Sequence, residues 1–327
     1  MEIINGTYST AKIFTAENQE TSIDQYAIQQ IQALCNNVVA KSTTIRVMPD
    51  VHPGIVGTIG LTMTIKDKIM PNLVGVDIGC GMLLGQINGK KVEFQKLDTV
   101  IRENIPSGFS VRTKIHRLAE DFDLSELHCY KHIKENKALL SLGTLGGGNH
   151  FIEIDKDNDN NIYVVIHSGS RHLGKEVTEY YLSTGQKRLK EQGIEIPYEL
   201  TYLDGELKEA YLHDIQIIQD FASLNREIIL HELVKGMKWK LSDSYECIHN
   251  YIDSTDMLRK GAISAKENEK VIIPINMRDG IILGYGLGNS DWNYSAPHGA
   301  GRILKRSEVK SFFTVSFLAI LIHYHIK

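Results

Sequence analysis

At 327 residues the chain has room for one large domain or two ordinary ones, and 42% hydrophobic with 23% charged residues excludes a disordered or collagen-like polymer. Lysine and arginine number 36 against 40 aspartate and glutamate, a net charge of −4, so a nucleic-acid partner would have to be met by a local patch. The four cysteines, Cys35, Cys80, Cys129 and Cys247, form no C-x-x-C pair, which argues against a disulfide scaffold or zinc ribbon and fits a reducing, cytoplasmic setting.

Met1-Glu2-Ile3-Ile4-Asn5-Gly6 opens the chain without a secretory pattern. Over 21–41, Ile23, Ala27, Ile31, Leu34, Cys35 and Val38 recur at three- and four-residue steps, which predicts an amphipathic helix. Ser22 with Gln25 three residues on reads as its capping box. Short apolar runs bounded by Gly, Pro, Asn or Asp predict strands at 45–48, 55–65, 73–76 and 82–87. Strands are expected again at 151–154 and 162–166. The polar run 155–161 between them reads as a hairpin turn, because it lacks the glycine of a calcium loop and its twelfth position is Ile166 rather than Glu.

Helical periodicity returns at 177–189 and 205–235, the latter with Leu207, Tyr211, Ile215, Ile218, Ala222, Ile229 and Leu233 on one face, and strands are expected at 271–275 and 281–285. Strands and helices interleave without steady alternation, so the expected fold class is mixed α/β (α+β), one domain over residues 1–310. The run 311–326 is apolar over 16 residues, short of the roughly 20 that a membrane-spanning helix needs, and 311–327 is expected to be an atypical tail.

The chemistry-bearing segments begin with Met48-Pro49-Asp50-Val51-His52 and Val74-Gly75-Val76-Asp77-Ile78-Gly79-Cys80-Gly81-Met82. A strand end running into Asp-x-Gly-Cys-Gly sets a carboxylate and a thiol three residues apart, where glycines let the backbone turn both toward one point. A thiolate there can bridge two cations; the plainer reading is a buried cysteine beside a turn-forming aspartate. His150 follows a glycine run, His167 ends an apolar strand and His249 stands in Cys-Ile-His-Asn. Each alone reads as a core histidine, but with Asp77 and Cys80 they make the ligand count of a dinuclear metal site.

Further on, SAPHGAGR sets His298 among small residues. Backbone N–H groups of Gly299 to Gly301 can cradle a phosphate there, Arg302 adds a bidentate donor, and a neutral imidazole nitrogen can attack phosphorus. A flexible surface turn is the alternative. The glycines match neither a P-loop nor a dinucleotide fingerprint, and His231-Glu232 lacks the second histidine of a zincin helix. Basic clusters at Arg112, Lys114 and Arg117, at Lys187, Arg188 and Lys190, and at Lys305 and Arg306 suit RNA phosphates or simply a solvated face.

In this order, MPDVHPG, NLVGVDIGCGM, GTLGGGNHFIE, HSGSRHLG, CIHN and SAPHGAGR resemble the RtcB-type RNA-splicing ligase family over about residues 48–306. The resemblance implies an RtcB-like fold, with mixed sheets flanked by helices around a metal cleft, and a cytoplasmic enzyme without membrane contact. It implies that Asp77, Cys80, His150, His167 and His249 hold two Mn2+ ions with Cys80 bridging, and that His298 takes GMP from GTP. Positions matching those that line the nucleotide are Asp50, Asn149, His150, Phe151, Ile152, Glu153, His249, Asn250, Pro274, Ile275, Asn276, Met277, Gly299, Ala300, Gly301 and Arg302.

The implied reaction opens an RNA 2',3'-cyclic phosphate to a 3'-phosphate, passes GMP to that phosphate and lets a 5'-hydroxyl displace it. An archease-type activator is the implied protein partner. Donor softness alone favours Zn or Fe(II), so Mn rests on the resemblance. Two departures stand out. Pro274-Ile275-Asn276-Met277 replaces the family's Pro-Gly-Ser/Thr-Met-type loop, and 311–327 stands where family members continue to a closing lysine in the guanine pocket. A truncated or frameshifted product with only guanylylation or phosphate hydrolysis is therefore the alternative expectation.

Overall fold

The run Ile162–Ser168 is apolar at successive rather than alternate positions, and such a strand is stable only with both faces covered. The computed structural model describes residues 1–15, 23–89, 91–276 and 278–301. In it this strand is central to a four-stranded antiparallel sheet ordered β10 (Leu241–Ile248), β6 (Gly81–Ile87), β8 (Ile162–Ser168), β7 (Phe151–Lys156). Helices α2 (Phe94–Asn104) and α5 (Gly205–Met237) cover one face, over Leu83, Val164 and Ile166. Strands β13 (Ala262–Ser264) and β14 (Lys270–Asn276) cover the other, over Met82, Leu84 and Val165. Met82 pairs with both His167 and Cys247, and Phe151 with His167. The beginnings of β6 and β7 and the ends of β8 and β10 therefore share one rim of the sheet.

A second, six-stranded sheet runs β1 (Glu2–Asn5), β2 (Thr10–Ile13), β3 (Ile45–His52), β4 (Ile59–Thr64), β12 (Met257–Lys260), β11 (Asn250–Ile252), with β2 and β3 parallel. Only His249 separates β10 from β11, so the chain passes between the two sheets at that residue. Its core is shared with α1 (Gln25–Cys35), α4 (Arg171–Glu191) and the apolar seam of α5. α3 (Glu135–Ser141), the short pair β5 (Lys68–Ile69) and β9 (Leu203–Asp204), the β14–β15 (Gly280–Tyr285) hairpin and the pairing of β13 with β16 (Ser295–Pro297) complete the frame.

The mixed α+β class follows the sequence pattern, and the departures have local causes. Residues 73–76 form no strand: Pro71 starts a 3-10 turn and Gly75 takes φ +93°. Residues 55–58 stay outside β4, with Ile55 exposed. The cap of α1 is Asp24, which accepts from the Tyr26 N–H at 2.7 Å. The run 155–161 is a hairpin turn, closed by Asp157 Oδ1 accepting from the N–H groups of Asp159 and Asn161. All four cysteines are free and buried. No helix among the described residues is long and apolar enough to cross a membrane. Ser22, Met277, Arg302, Lys305, Arg306 and 311–327 lie outside the described residues.

Candidate active site

Four side chains reach the shared rim from strand ends: Cys80 precedes β6, His150 precedes β7, His167 is the penultimate residue of β8 and His249 follows β10. Asp77 joins them from a turn in which the Cys80 N–H donates to the Asp77 carbonyl at 3.2 Å and Gly79 takes φ +71°. Gly169 leaves the space, since a Cβ there would overlap the Asp77 carboxylate.

Cys80 Sγ lies 3.2 Å from His167 Nε2 and 3.6 Å from His150 Nε2, while His150 Nε2 is 2.9 Å from Asp77 Oδ2 and His167 Nε2 is 3.3 Å from His249 Nε2. These atoms form two triads that share the sulfur, Asp77–Cys80–His150 and Cys80–His167–His249, each within 4.8 Å. His150 Nδ1 faces the Leu145 carbonyl at 2.8 Å and His167 Nδ1 the Asn149 carbonyl at 3.0 Å. A carbonyl only accepts, so both Nδ1 atoms carry hydrogen, and in the neutral form that binds a metal each ring turns an Nε2 lone pair inward. In the metal-binding state, thiolate with neutral imidazole, acceptors then face acceptors: nitrogen against carboxylate in one triad, nitrogen against sulfur and a second imidazole in the other. A cation in each triad would satisfy them, so the donor set fits a two-cation site, and it is compatible with several first-row metals.

Burial pushes the Cys80 thiol well above its ordinary value, and the Asp77 charge adds to this. Burial and the His150 charge take His167 down to about 3, and burial with His167 holds His249 well below its usual range. For Asp77, burial acts upward, but the hydrogen bond and charge of His150 outweigh it and the carboxyl ends lowered. These are the directions for ligands without a metal; a bound cation favours thiolate and neutral imidazole.

Behind the ligands stand two residues that sequence patterning did not flag, Asn225 and Arg226 of α5, both fully buried. Arg226 Nη1 donates to the carbonyls of Gly79 (2.7 Å) and Ser168 (2.8 Å), the neighbours of Cys80 and His167. Its Nε and Nη2 donate to Glu246 Oε2 on β10 at 3.1 and 2.8 Å, three residues before His249. Asn225 Oδ1 accepts from the N–H groups of Gly143 and Thr144 at 2.8 and 3.1 Å, next to the Leu145 carbonyl that orients His150. One helix thereby anchors the backbone beside Cys80 and His167 and braces the segments that lead to His150 and His249. The signal for it was in the sequence: a polar Asn-Arg pair inside the seam between Ala222 and Ile229.

His298 follows β16, its ring 5.1 Å from that of His249 and 6.4 Å from that of His52. Its Nδ1 lies 2.7 Å from Asp50 Oδ2, and Asp50 Oδ1 is buried without a partner among the described residues. Pro49 brings Asp50 there: it has no N–H for the ladder, and the β3–β4 register jumps between Val47 and His52. An ionised Asp50 only accepts, so Nδ1 carries the hydrogen and Nε2 keeps a free lone pair.

The remaining predicted nucleotide residues are placed unevenly. Phe151 packs on the side of β7 away from the helices, edge-on to the His167 ring with centroids 5.2 Å apart; Glu153 and Asp155 share that side by strand alternation. Ile152 packs on the helix side and offers a ligand only its backbone. Burial, then the Asp155 charge, pushes Glu153 up to about 7, and burial takes Asp155 to about 6. Asn149 is exposed. Asn250 is occupied structurally: Nδ2 donates to the Asp77 carbonyl at 3.4 Å and Oδ1 accepts from the Gly261 N–H at 3.0 Å. Pro274 and Ile275 lie on β14, and Asn276 Oδ1 accepts from the N–H groups of Arg278 and Asp279. Gly299 approaches the Pro274 carbonyl, Gly301 approaches the backbone of Asp50, and Ala300 is exposed.

Two other histidine-carboxylate groups differ from the central cluster. His116 Nδ1 accepts from the Leu118 N–H, so Nε2 carries the hydrogen and donates to Glu232. The Asp214 oxygens are taken by the His128 and Cys129 N–H groups and the Tyr181 hydroxyl. Among the described residues, the group around Cys80 is the one in which two such triads share an atom.

The family model described as tRNA-splicing ligase RtcB matches residues 30–321. RNA-splicing ligase RtcB of Escherichia coli K12 is 32% identical over 312 residues, covering 83% of this chain and 76% of the relative. RNA-splicing ligase RtcB2 of Escherichia coli strain ATCC 25922 is 28% identical over 342 residues, covering 94% and 80%. The tRNA-splicing ligase RtcB of Aeropyrum pernix is 27% identical over 379 residues, covering 88% and 78%. With the matched family span containing the whole of the Cys80 cluster and His298, the chain belongs to the RtcB tRNA-splicing ligase family.

Proposed function

We infer that the chain is a GTP-dependent RNA ligase that joins 2',3'-cyclic phosphate or 3'-phosphate RNA ends to 5'-hydroxyl ends through GMP carried on His298. The observation that carries this reading is the His298–Asp50 pair beside the Cys80 cluster, with a 2.7 Å hydrogen bond that leaves Nε2 free. Asp77, Cys80, His150, His167 and His249 would hold two divalent cations, Mn2+ in this reading, which supply charge neutralisation for phosphate groups.

His298 Nε2 attacks the α-phosphorus of GTP; the N–P bond forms and the bond to pyrophosphate breaks. Asp50 keeps the Nδ1 hydrogen in place and stabilises the positive charge that grows on the ring. An oxygen of the RNA 3'-phosphate then attacks the guanylyl phosphorus and returns His298 to neutrality. A 2',3'-cyclic end is first opened by water, which breaks the bond to O2' and leaves the 3'-phosphate; in the last step the 5'-hydroxyl attacks the RNA 3'-phosphorus, its proton passes to solvent, and the bond to GMP breaks. Glu153 and Asn149 are assigned to the guanylate, with Gly299 to Gly301 against its phosphate.

Incubation with α-labelled GTP and Mn(II) tests the reading. The expected result is a covalent GMP adduct that maps to the peptide containing His298 and is absent from His298→Ala, which retains the metal content of the parent. An unlabelled parent, or an adduct that survives His298→Ala, contradicts it.

A further inference from the structure

Phe109 is fully exposed, yet it does not sit on a loose loop. It occupies a tight turn in which the Ser110 N–H donates to the Ser107 carbonyl at 3.2 Å and Gly108 takes φ +63°. That turn is fastened to the segment leading into His150. The Gly108 N–H donates to the Gly146 carbonyl at 2.8 Å, the Leu145 N–H donates to the Pro106 carbonyl at 2.9 Å, and Ser107 bridges Gly146. Arg171 Nη2 donates to the Gly108 carbonyl at 3.0 Å and its Nε to the Thr144 hydroxyl at 3.1 Å. Arg171 holds φ +59° at the first residue of α4, a conformation that a non-glycine residue adopts only when its surroundings enforce it. The turn that carries the ring is thus held at a defined place beside the cleft, and among the described residues nothing covers the ring. Exposed Lys114 and Arg117 follow a few residues later.

A single exposed apolar side chain is ordinary. An aromatic ring on a pinned turn beside a phosphate-handling site, with exposed cationic side chains a few residues on in the chain, is the arrangement that binds single-stranded nucleic acid by stacking. We propose that Phe109 is the stacking platform for a nucleobase near the RNA end being joined, with Lys114 and Arg117 meeting the neighbouring backbone phosphates. The identity of the polymer rests on the ligase reading above. Every base has a π-face, so the platform orients an end without selecting its sequence.

The test is binding without turnover, using the full chain with Mn(II), no GTP, and a fluorescein-labelled single-stranded oligoribonucleotide of about 10 nucleotides that ends in a 3'-phosphate. Phe109→Ala and Phe109→Leu should both weaken binding about 10- to 100-fold. Phe109→Trp should bind as the parent does, and its added emission should be quenched at saturating RNA. Parental affinity in Phe109→Ala, or unmoved emission in Phe109→Trp with RNA bound, overturns the proposal. So does restored binding in Phe109→Leu, which would mark a generic apolar contact of the kind a protein partner makes. Because no catalysis is read, the two readings fail separately. Quenching by RNA in a chain that forms no GMP adduct keeps the platform and sinks the ligase, and ligation with parental RNA affinity in Phe109→Ala does the reverse.

Discussion

The Cys80 end and the His298 end of the cleft are built in opposite ways. At the first, ligands come from four strand ends of one sheet, and the fully buried Arg226 reaches the backbone beside two of them. At the second, His298 is about a quarter exposed, follows a three-residue strand and takes its side-chain orientation from Asp50. Charge is concentrated where the structure is fixed from behind, and the segment that would meet a changing substrate is left open. Groups at the first end should therefore fail together, and groups at the second one at a time.

The largest effect should come from Cys80→Ser, which removes the atom common to both triads. Metal content should fall from two ions to one or none, and adduct formation by about 10³-fold or more, since bound cations contribute several kcal/mol. Elemental analysis beside the GTP assay checks both. Asp50→Asn acts at the other end: metal content should hold while adduct formation drops about 10²- to 10⁴-fold through loss of the fixed tautomer and charge. If Asp50→Asn also empties the metal site, the two ends are not independent.

Arg226→Lys sharpens the contrast, because lysine keeps the charge but cannot reach two carbonyls and Glu246 in one plane. Metal affinity should fall about 10- to 100-fold with the ligands intact, and the Co(II)–thiolate absorption of the substituted protein should shift. Arg226→Met should in addition destabilise the fold by about 3 kcal/mol, because Glu246 loses its ion-pair partner and the buried Gly79 and Ser168 carbonyls lose their donor, measurable by denaturant titration.

Much of the first end was legible in the sequence because each ligand lies at a change of pattern, where an apolar strand meets a glycine or a turn. The joint between sheets at His249 and the rim shared by β6, β7, β8 and β10 were not legible, since they depend on which strands pair. Asn225 and Arg226 were hidden because a helix seam is read by its apolar members. The helices α2 and α3 were missed for a related reason: α2 buries only Leu97 and Val100, and α3 spans just Glu135–Ser141. At the second end, Pro49 was visible but its effect on register was not, and Ile152 counted as a ligand-facing residue until strand alternation set it on the helix side.

The smallest effects concern pH. A cation at Cys80 must displace the thiol proton, so metal affinity should rise up to about tenfold per pH unit while that thiol is protonated in the free protein. Titration with Co(II) at several pH values follows it. In the metal-free protein, Glu153 at about 7 and Asp155 at about 6 bind protons more tightly folded than unfolded. Their stabilising contribution is thus full at acid pH and lost as pH rises toward 7. Glu153→Gln should lose less thermal stability than the parent between about pH 5 and pH 8, by about 3 °C. His167, with its pKa depressed from 6.5 to about 3, acts in the opposite direction below pH 6.5, but equally in both proteins.

The most direct measurement is anomalous diffraction from crystals of the full chain soaked in Mn(II). Two peaks should appear, one within bonding distance of Asp77 and His150, the other of His167 and His249, both in contact with Cys80 Sγ. A single peak, or two peaks that leave the sulfur untouched, would contradict a centre shared through Cys80.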